Sequence, residues 1–156
     1  MDDMDARYET AVHEAGHVVA HVALRVPFRY VTVRPLTPGA AGYVCTRPPE
    51  DEPCSGDDSD TITFLTGPLA QARLAWLRGG ADGDLAELEH EYFGLETSAS
   101  DYRSIPIPLD GSIEAHWKAT HDLLERGWPQ VEAVAAELLM RSTLPPTRGE
   151  GTLRGL

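Results

Sequence analysis

His13-Glu14-Ala15-Gly16-His17-Val18-Val19-Ala20 is the stretch on which the reading of this chain turns. It has the form His-Glu-x-x-His and lies in a run where Ala11, Ala15, Val18, Val19, Val22 and Leu24 recur at helical spacing. That periodicity predicts a helix over 5–25, stopped by Pro27. On a helix, residues four apart are offset by about 40° and by about 6 Å along the axis. His13 and His17 can then aim ring nitrogens at one ion. Glu14 points to the side, within reach of a water on that ion and positioned as a general base. Ala15 and Gly16 keep bulk away from this turn. A helical glycine costs about 1 kcal/mol relative to alanine, so Gly16 predicts a packing or access requirement.

His21 continues the same spacing, but it lies about 12 Å along the axis from His13, too far to share an ion with it. It is expected to be a polar or packed neighbour. A zinc site of this kind takes a third protein ligand from elsewhere and leaves one position for water. The acidic candidates downstream are Asp82, Asp84, Glu87, Glu91, Glu96 and Asp101. His90, His116 and His121 also qualify by chemistry. Spacing does not choose among them, and Asp101 in Ser98-Ala99-Ser100-Asp101 equally suits a helix N-cap.

The remaining composition narrows the function classes. The 156 residues suffice for one domain with a core, and a hydrophobic content of 42% is ordinary for a globular chain. Thirteen basic against 25 acidic residues give a formal charge of −12, which argues against nucleic acid and anionic membrane surfaces as partners. No stretch approaches the roughly 18 apolar residues of a membrane span. The acidic start, Met1-Asp2-Asp3-Met4-Asp5, is unlike a secretory signal, so a cytoplasmic location is expected. Lys118 is the sole lysine, and the arginine, alanine and glycine bias suggests a bacterial source. Cys45 and Cys54 read as two ordinary thiols, with a local bridge between them as the alternative.

Around the motif, 28–34 is β-rich and ends at Pro35, and 42–46 reads as a second strand paired with it. Residues 47–60 form a proline-containing acidic loop, expected to be mobile. A helix is expected over 61–78, with Gly67-Pro68 a candidate kink and Gly79-Gly80 its end. A short helix over 84–93 is closed by Gly94. Residues 98–110 begin like a helix cap, but Pro106 and Pro108 prevent a long continuation. Two amphipathic helices are expected over 112–126 and 128–140, divided near Gly127-Trp128-Pro129. The expected organisation is one domain over 1–144 followed by a flexible tail over 145–156. The fold class is mostly α with a small β-hairpin or sheet.

Taken together, these segments resemble the peptidase domain of FtsH-type AAA+ zinc metalloproteases. His13 to Ala20 looks like that family's HEAGH helix, and Val31-Thr32-Val33-Arg34-Pro35 like the strand that follows. Ala41-Gly42-Tyr43-Val44 is similar to the family's strand at the edge of the active site. Thr66-Gly67-Pro68-Leu69-Ala70 falls where the family has a Gly-rich helix segment. Ser98-Ala99-Ser100-Asp101 resembles its Ser-x-x-Asp segment, and the resemblance makes Asp101 the third zinc ligand. Leu123 through Leu139 and Thr143-Leu144 are similar to its C-terminal helical hairpin. The implied fold is a zincin-like HExxH helix bundle.

The departures are specific. No GxxxxGK[ST] motif and no membrane anchor occur in these residues, so a stand-alone domain is expected. Gln71-Ala72 stands where the family has an acidic pair. The expectation is a zinc-dependent endopeptidase acting on peptides or unfolded segments without ATP of its own. Zn2+ is held by His13, His17 and Asp101, and Glu14 is the base. Substrate backbone pairs with Gly42, Tyr43, Val44 and Cys45. A separate ATPase chain or further copies of this chain are the macromolecular partners such a domain admits. The alternative is a catalytically inactive zinc-binding adaptor of the same fold.

Overall fold

The computed structural model describes residues 3–34, 42–45, 58–94 and 113–145. In chain order these form α1 (Asp3–Ala23), β1 (Tyr30–Thr32), β2 (Tyr43–Cys45), α2 (Asp58–Arg78), α3 (Leu85–Gly94), α4 (Ile113–Arg141) and β3 (Thr143–Leu144). The architecture is mostly helical with a small antiparallel sheet of order β2-β1-β3. Val31 stands at its centre, opposite Val44 on one side and Leu144 on the other. Among the described residues, no helix is long and apolar enough to cross a membrane.

Helix α1 is the axis of the molecule. Its first two turns are polar and largely exposed, but every residue from Ala11 to His21 is buried. A helix covered on all sides is a core helix rather than an amphipathic surface one, and its polar residues need partners inside the protein. Val12, Val18 and Val19 pack with Leu69 of α2, Leu124, Val131, Val134 and Leu138 of α4, and Val31 and Leu144 of the sheet. Gly16 marks the crossing of α1 and α2. A Cβ there would lie 2.6 Å from the Thr66 carbonyl oxygen and 2.8 Å from Ala70 Cβ. The packing requirement expected of Gly16 is thus the close approach of two backbones.

The helix ends follow capping chemistry. At the end of α1, Val26 N donates to His21 O at 2.8 Å and Arg25 N to Val22 O at 3.3 Å, with Arg25 in the left-handed region at φ 57°. This is the Schellman pattern, here built without glycine. His21 reinforces it by pairing Nδ1 with the Val26 carbonyl at 3.0 Å, its ring against Phe28. The same motif closes α2, where Gly80 takes φ 82°. Asp84 caps α3 by accepting from Ala86 N at 2.9 Å. Arg78 joins the exposed ends of α2 and α1 through Glu9 at 3.0 Å and Asp5 at 3.4 Å.

Three expectations are corrected. Residues 112–140 are not a hairpin of two helices. Ile113–Arg141 is one helix that runs through Gly127-Trp128-Pro129. An interior proline costs about 3 kcal/mol, but Leu123, Leu124, Gly127, Trp128, Val131, Val134, Ala135 and Leu138 form an unbroken buried stripe across it, and that burial outweighs the lost bond. The acidic segment expected as a loop to residue 60 is helical from Asp58. A third strand, β3, follows α4 directly. Ser142 turns the chain at φ 65° and accepts from Val33 N at 2.9 Å and Thr32 Oγ1 at 3.0 Å. Cys54, the segment over 98–110 and the tail beyond 145 lie outside the described residues.

Helix α3 is attached differently from the others. Its one buried residue is Glu89, whose Oε2 accepts from Trp117 Nε1 at 2.9 Å and whose Oε1 accepts from His121 Nδ1 at 2.8 Å. His90 stacks on the Trp117 indole with ring centroids 4.5 Å apart. Truncating a buried acceptor strands its donors at about 1–3 kcal/mol. Glu89→Ala is therefore expected to lower stability by about 2–3 kcal/mol, read by denaturant unfolding. A loss below about 0.5 kcal/mol would refute the attachment.

Candidate metal centre

The two motif histidines face α2 from consecutive turns of α1. Their rings meet edge to face, with centroids 4.8 Å apart and planes at 74°. His13 Nδ1 donates to Gln71 Oε1 at 2.6 Å, and His17 Nδ1 donates to the Thr63 carbonyl oxygen at 2.6 Å. Both acceptors are oxygens, so both Nδ1 atoms carry the proton and both Nε2 atoms carry lone pairs. The two Nε2 atoms lie 3.1 Å apart. Two lone pairs at that distance repel unless a cation lies between them. Two nitrogens each about 2.0–2.1 Å from a tetrahedral zinc ion are about 3.3 Å apart. The donor set and its spacing fit a zinc ion.

The face of α2 that receives them matches their spacing. Thr63, Gly67 and Gln71 recur every four residues along one side of the helix. Thr63 and Gln71 supply the acceptors, and Gly67 sits between them. A Cβ at Gly67 would lie 2.6 Å from His13 Nε2 and 2.7 Å from His17 Cε1, and closer still to His17 Nε2. Only a residue without a side chain leaves that space open. Helix α2 continues through Gly67-Pro68 without a break, and Pro68, which lacks an N–H, removes the helical donor to the Phe64 carbonyl. The expected kink position is thus the cradle of the two imidazoles.

Glu14 is buried at 4% exposure, one residue from His13 on the side where the sheet begins. Gly42, just before β2, lies directly against it. A Cβ at Gly42 would come 3.0 Å from both Cγ and Oε1 of Glu14, and 2.8 Å from the Thr32 carbonyl oxygen. The backbone of Tyr43, Val44 and Cys45 forms β2, paired to β1 on one side. Among the described residues no strand pairs with its other side. The base candidate and the unpaired strand edge are therefore neighbours.

The third ligand expected at Asp101 lies outside the described residues, as does Glu96. Among the described residues, no group of three or more His, Cys, Asp or Glu side chains could hold a metal. Asp82, Asp84, Glu87, Glu91, His90, His116 and His121 therefore do not complete the His13–His17 pair. His90 and His121 belong instead to the cluster around Trp117 and Glu89. Sequence reasoning missed Thr63 and Gln71 as partners of the imidazoles, which they meet across 46 and 58 residues. The available signal was their four-residue spacing around Gly67, which mirrors that of His13 and His17. Compared with known families and with curated proteins, the chain matches none.

Proposed function

We propose that this chain is a zinc-dependent endopeptidase with a zincin-like fold resembling the peptidase domain of FtsH-type AAA+ metalloproteases. The carrying observation is the pair of Nε2 atoms held 3.1 Å apart by two Nδ1 hydrogen bonds, that of His17 buried and that of His13 part-buried, beside a buried carboxylate. His13, His17 and Asp101 would hold the ion. When bound, zinc supplies Lewis acidity to the attacking water and the scissile carbonyl. Glu14 takes a proton from that water as its oxygen bonds to the carbonyl carbon. As the C–N bond breaks, Glu14 hands the proton to the departing amine nitrogen.

Burying a carboxylate is costly, and a purely structural metal site has no need of a base. The burial of Glu14 therefore favours catalysis over the adaptor reading. An extended substrate adds to the outer edge of β2, whose backbone supplies hydrogen bonds irrespective of side-chain sequence. Gly42 then brings the peptide close to Glu14. Such a site suits flexible peptides and unfolded segments.

Metal analysis of the purified protein tests the ligand set. Wild type is expected to carry close to one zinc per chain and to cleave casein, whereas Asp101→Ala is expected to lose both. Zinc retained in full by the variant would remove Asp101 from the ligand set. Zinc-loaded wild type that cleaves no casein or peptide would refute the peptidase reading.

A further inference from the structure

We infer that Gly42 is a positioning residue for the proposed base: its missing side chain leaves the room in which the Glu14 carboxylate is held. The inference rests on the peptidase reading above, and it gives Gly42 a role separate from offering backbone to a substrate. A Cβ at Gly42 would lie 3.0 Å from both Cγ and Oε1 of Glu14 and 2.8 Å from the Thr32 carbonyl oxygen. At such distances something must shift, and the anchoring of each neighbour decides which one does.

Thr32 is buried in the central strand, which is paired on both sides. Its Oγ1 donates to the Ser142 carbonyl at 3.0 Å, accepts from Arg34 N at 3.1 Å and lies 2.8 Å from Thr143 Oγ1. The backbone of α1 is equally fixed, because every residue from Ala11 to His21 is buried. The Glu14 carboxylate instead ends a side chain with several rotatable bonds, so it yields before either backbone. A methyl group at position 42 therefore displaces the carboxylate. A misplacement of about 1 Å at a reacting centre can cost about 100-fold in rate. Alanine keeps the N–H and C=O of residue 42, so a role confined to pairing with substrate backbone would leave kcat unchanged.

Gly42→Ala, alone and combined with changes at Glu14, tests this through two double-mutant cycles. The first is thermal unfolding of the metal-free proteins. Gly42→Ala is expected to lower the midpoint of wild type by about 3–6 °C, as overpacking does. In Glu14→Ala, where Cγ and the carboxylate are gone, the same substitution should lower it by less than about half as much. The second is peptide hydrolysis by the zinc-loaded proteins. Gly42→Ala is expected to lower kcat by about 100-fold with KM within about twofold of wild type. In the Glu14→Gln background it should lower the residual rate no further. A loss confined to KM, or the same loss of kcat in both backgrounds, would overturn the inference. So would equal shifts of the midpoint in wild type and Glu14→Ala, or a Gly42→Ala protein that does not fold, because the methyl would then meet Thr32 rather than Glu14. Coupled midpoints with no hydrolysis by zinc-loaded wild type would refute the peptidase reading while upholding the hold of Gly42 on Glu14.

Discussion

If the proposed mechanism holds, Glu14→Gln is expected to retain zinc and to lose hydrolysis of casein by about 10²–10⁴-fold, the range for removing a general base. The substitution isolates charge from shape. Glutamine fills the same space against Gly42, whose Cβ position lies 3.0 Å from Glu14 Cγ and Oε1, so β2 keeps its place beside the site. His13 and His17 keep their bonds to Gln71 and Thr63, so the two proposed histidine ligands keep their orientation. What disappears is the group proposed to accept a proton from water and return it to the amine.

Stability supplies a second readout. A carboxylate at 4% exposure carries a desolvation cost that an amide carries less of. Glu14→Gln is therefore expected to unfold at the same or a higher temperature than wild type. A carboxylate kept for architecture would give the opposite pattern, with lower stability and unchanged activity. Zinc content, kcat/KM on a peptide and thermal unfolding of the two proteins separate these outcomes. Equal cleavage by both would remove Glu14 from the mechanism.

The local features of the fold were legible because their causes are local. The apolar spacing through α1 places that helix to within two residues at each end, and Gly79-Gly80 marks the stop of α2. The β-rich segments contain β1 and β2. The errors arise where distant packing decides. Pro129 looks like a boundary to any rule based on neighbours, but the stripe from Leu123 to Leu138 carries one helix through it. The strand β3 has only two residues, and it exists because Thr32 and Val33 bind the chain leaving α4, 110 residues away in the case of the Thr32–Ser142 bond.

The candidate site divides along the same line. His13, Glu14 and His17 are readable because one helix sets their geometry. The depth of their burial is not, since it is imposed by α2, α4 and the sheet closing around α1. The neutral residue at Gln71 was visible as a departure from the family pattern. Its contact with His13 Nδ1 needs the α1–α2 crossing, and that crossing depends on Gly16 admitting the Thr66 carbonyl.

Gly67→Ala tests whether the space between the imidazoles is reserved for an ion. The added methyl would sit 2.6 Å from His13 Nε2 and 2.7 Å from His17 Cε1, distances real side chains do not tolerate. The rings or the helices must move apart, and either motion ends the convergence of the two lone pairs. A zinc ion also requires its nitrogens at about 2.0–2.1 Å, so methyl and ion compete for one volume. Loss of stoichiometric zinc and of zinc-dependent cleavage is expected. The metal-free protein should remain helical, because alanine favours a helix over glycine by about 1 kcal/mol and part of the steric cost is recovered. Gly79→Ala is the internal control. Its Cβ would make ordinary contacts, 3.4 Å from the Trp76 carbonyl and 3.5 Å from that of Ala75, just past the far end of the same helix. That variant is expected to bind zinc as wild type does. If Gly67→Ala bound zinc equally well, the cradle on α2 would not be where the ion sits, and the role of Thr63, Gly67 and Gln71 would reduce to packing.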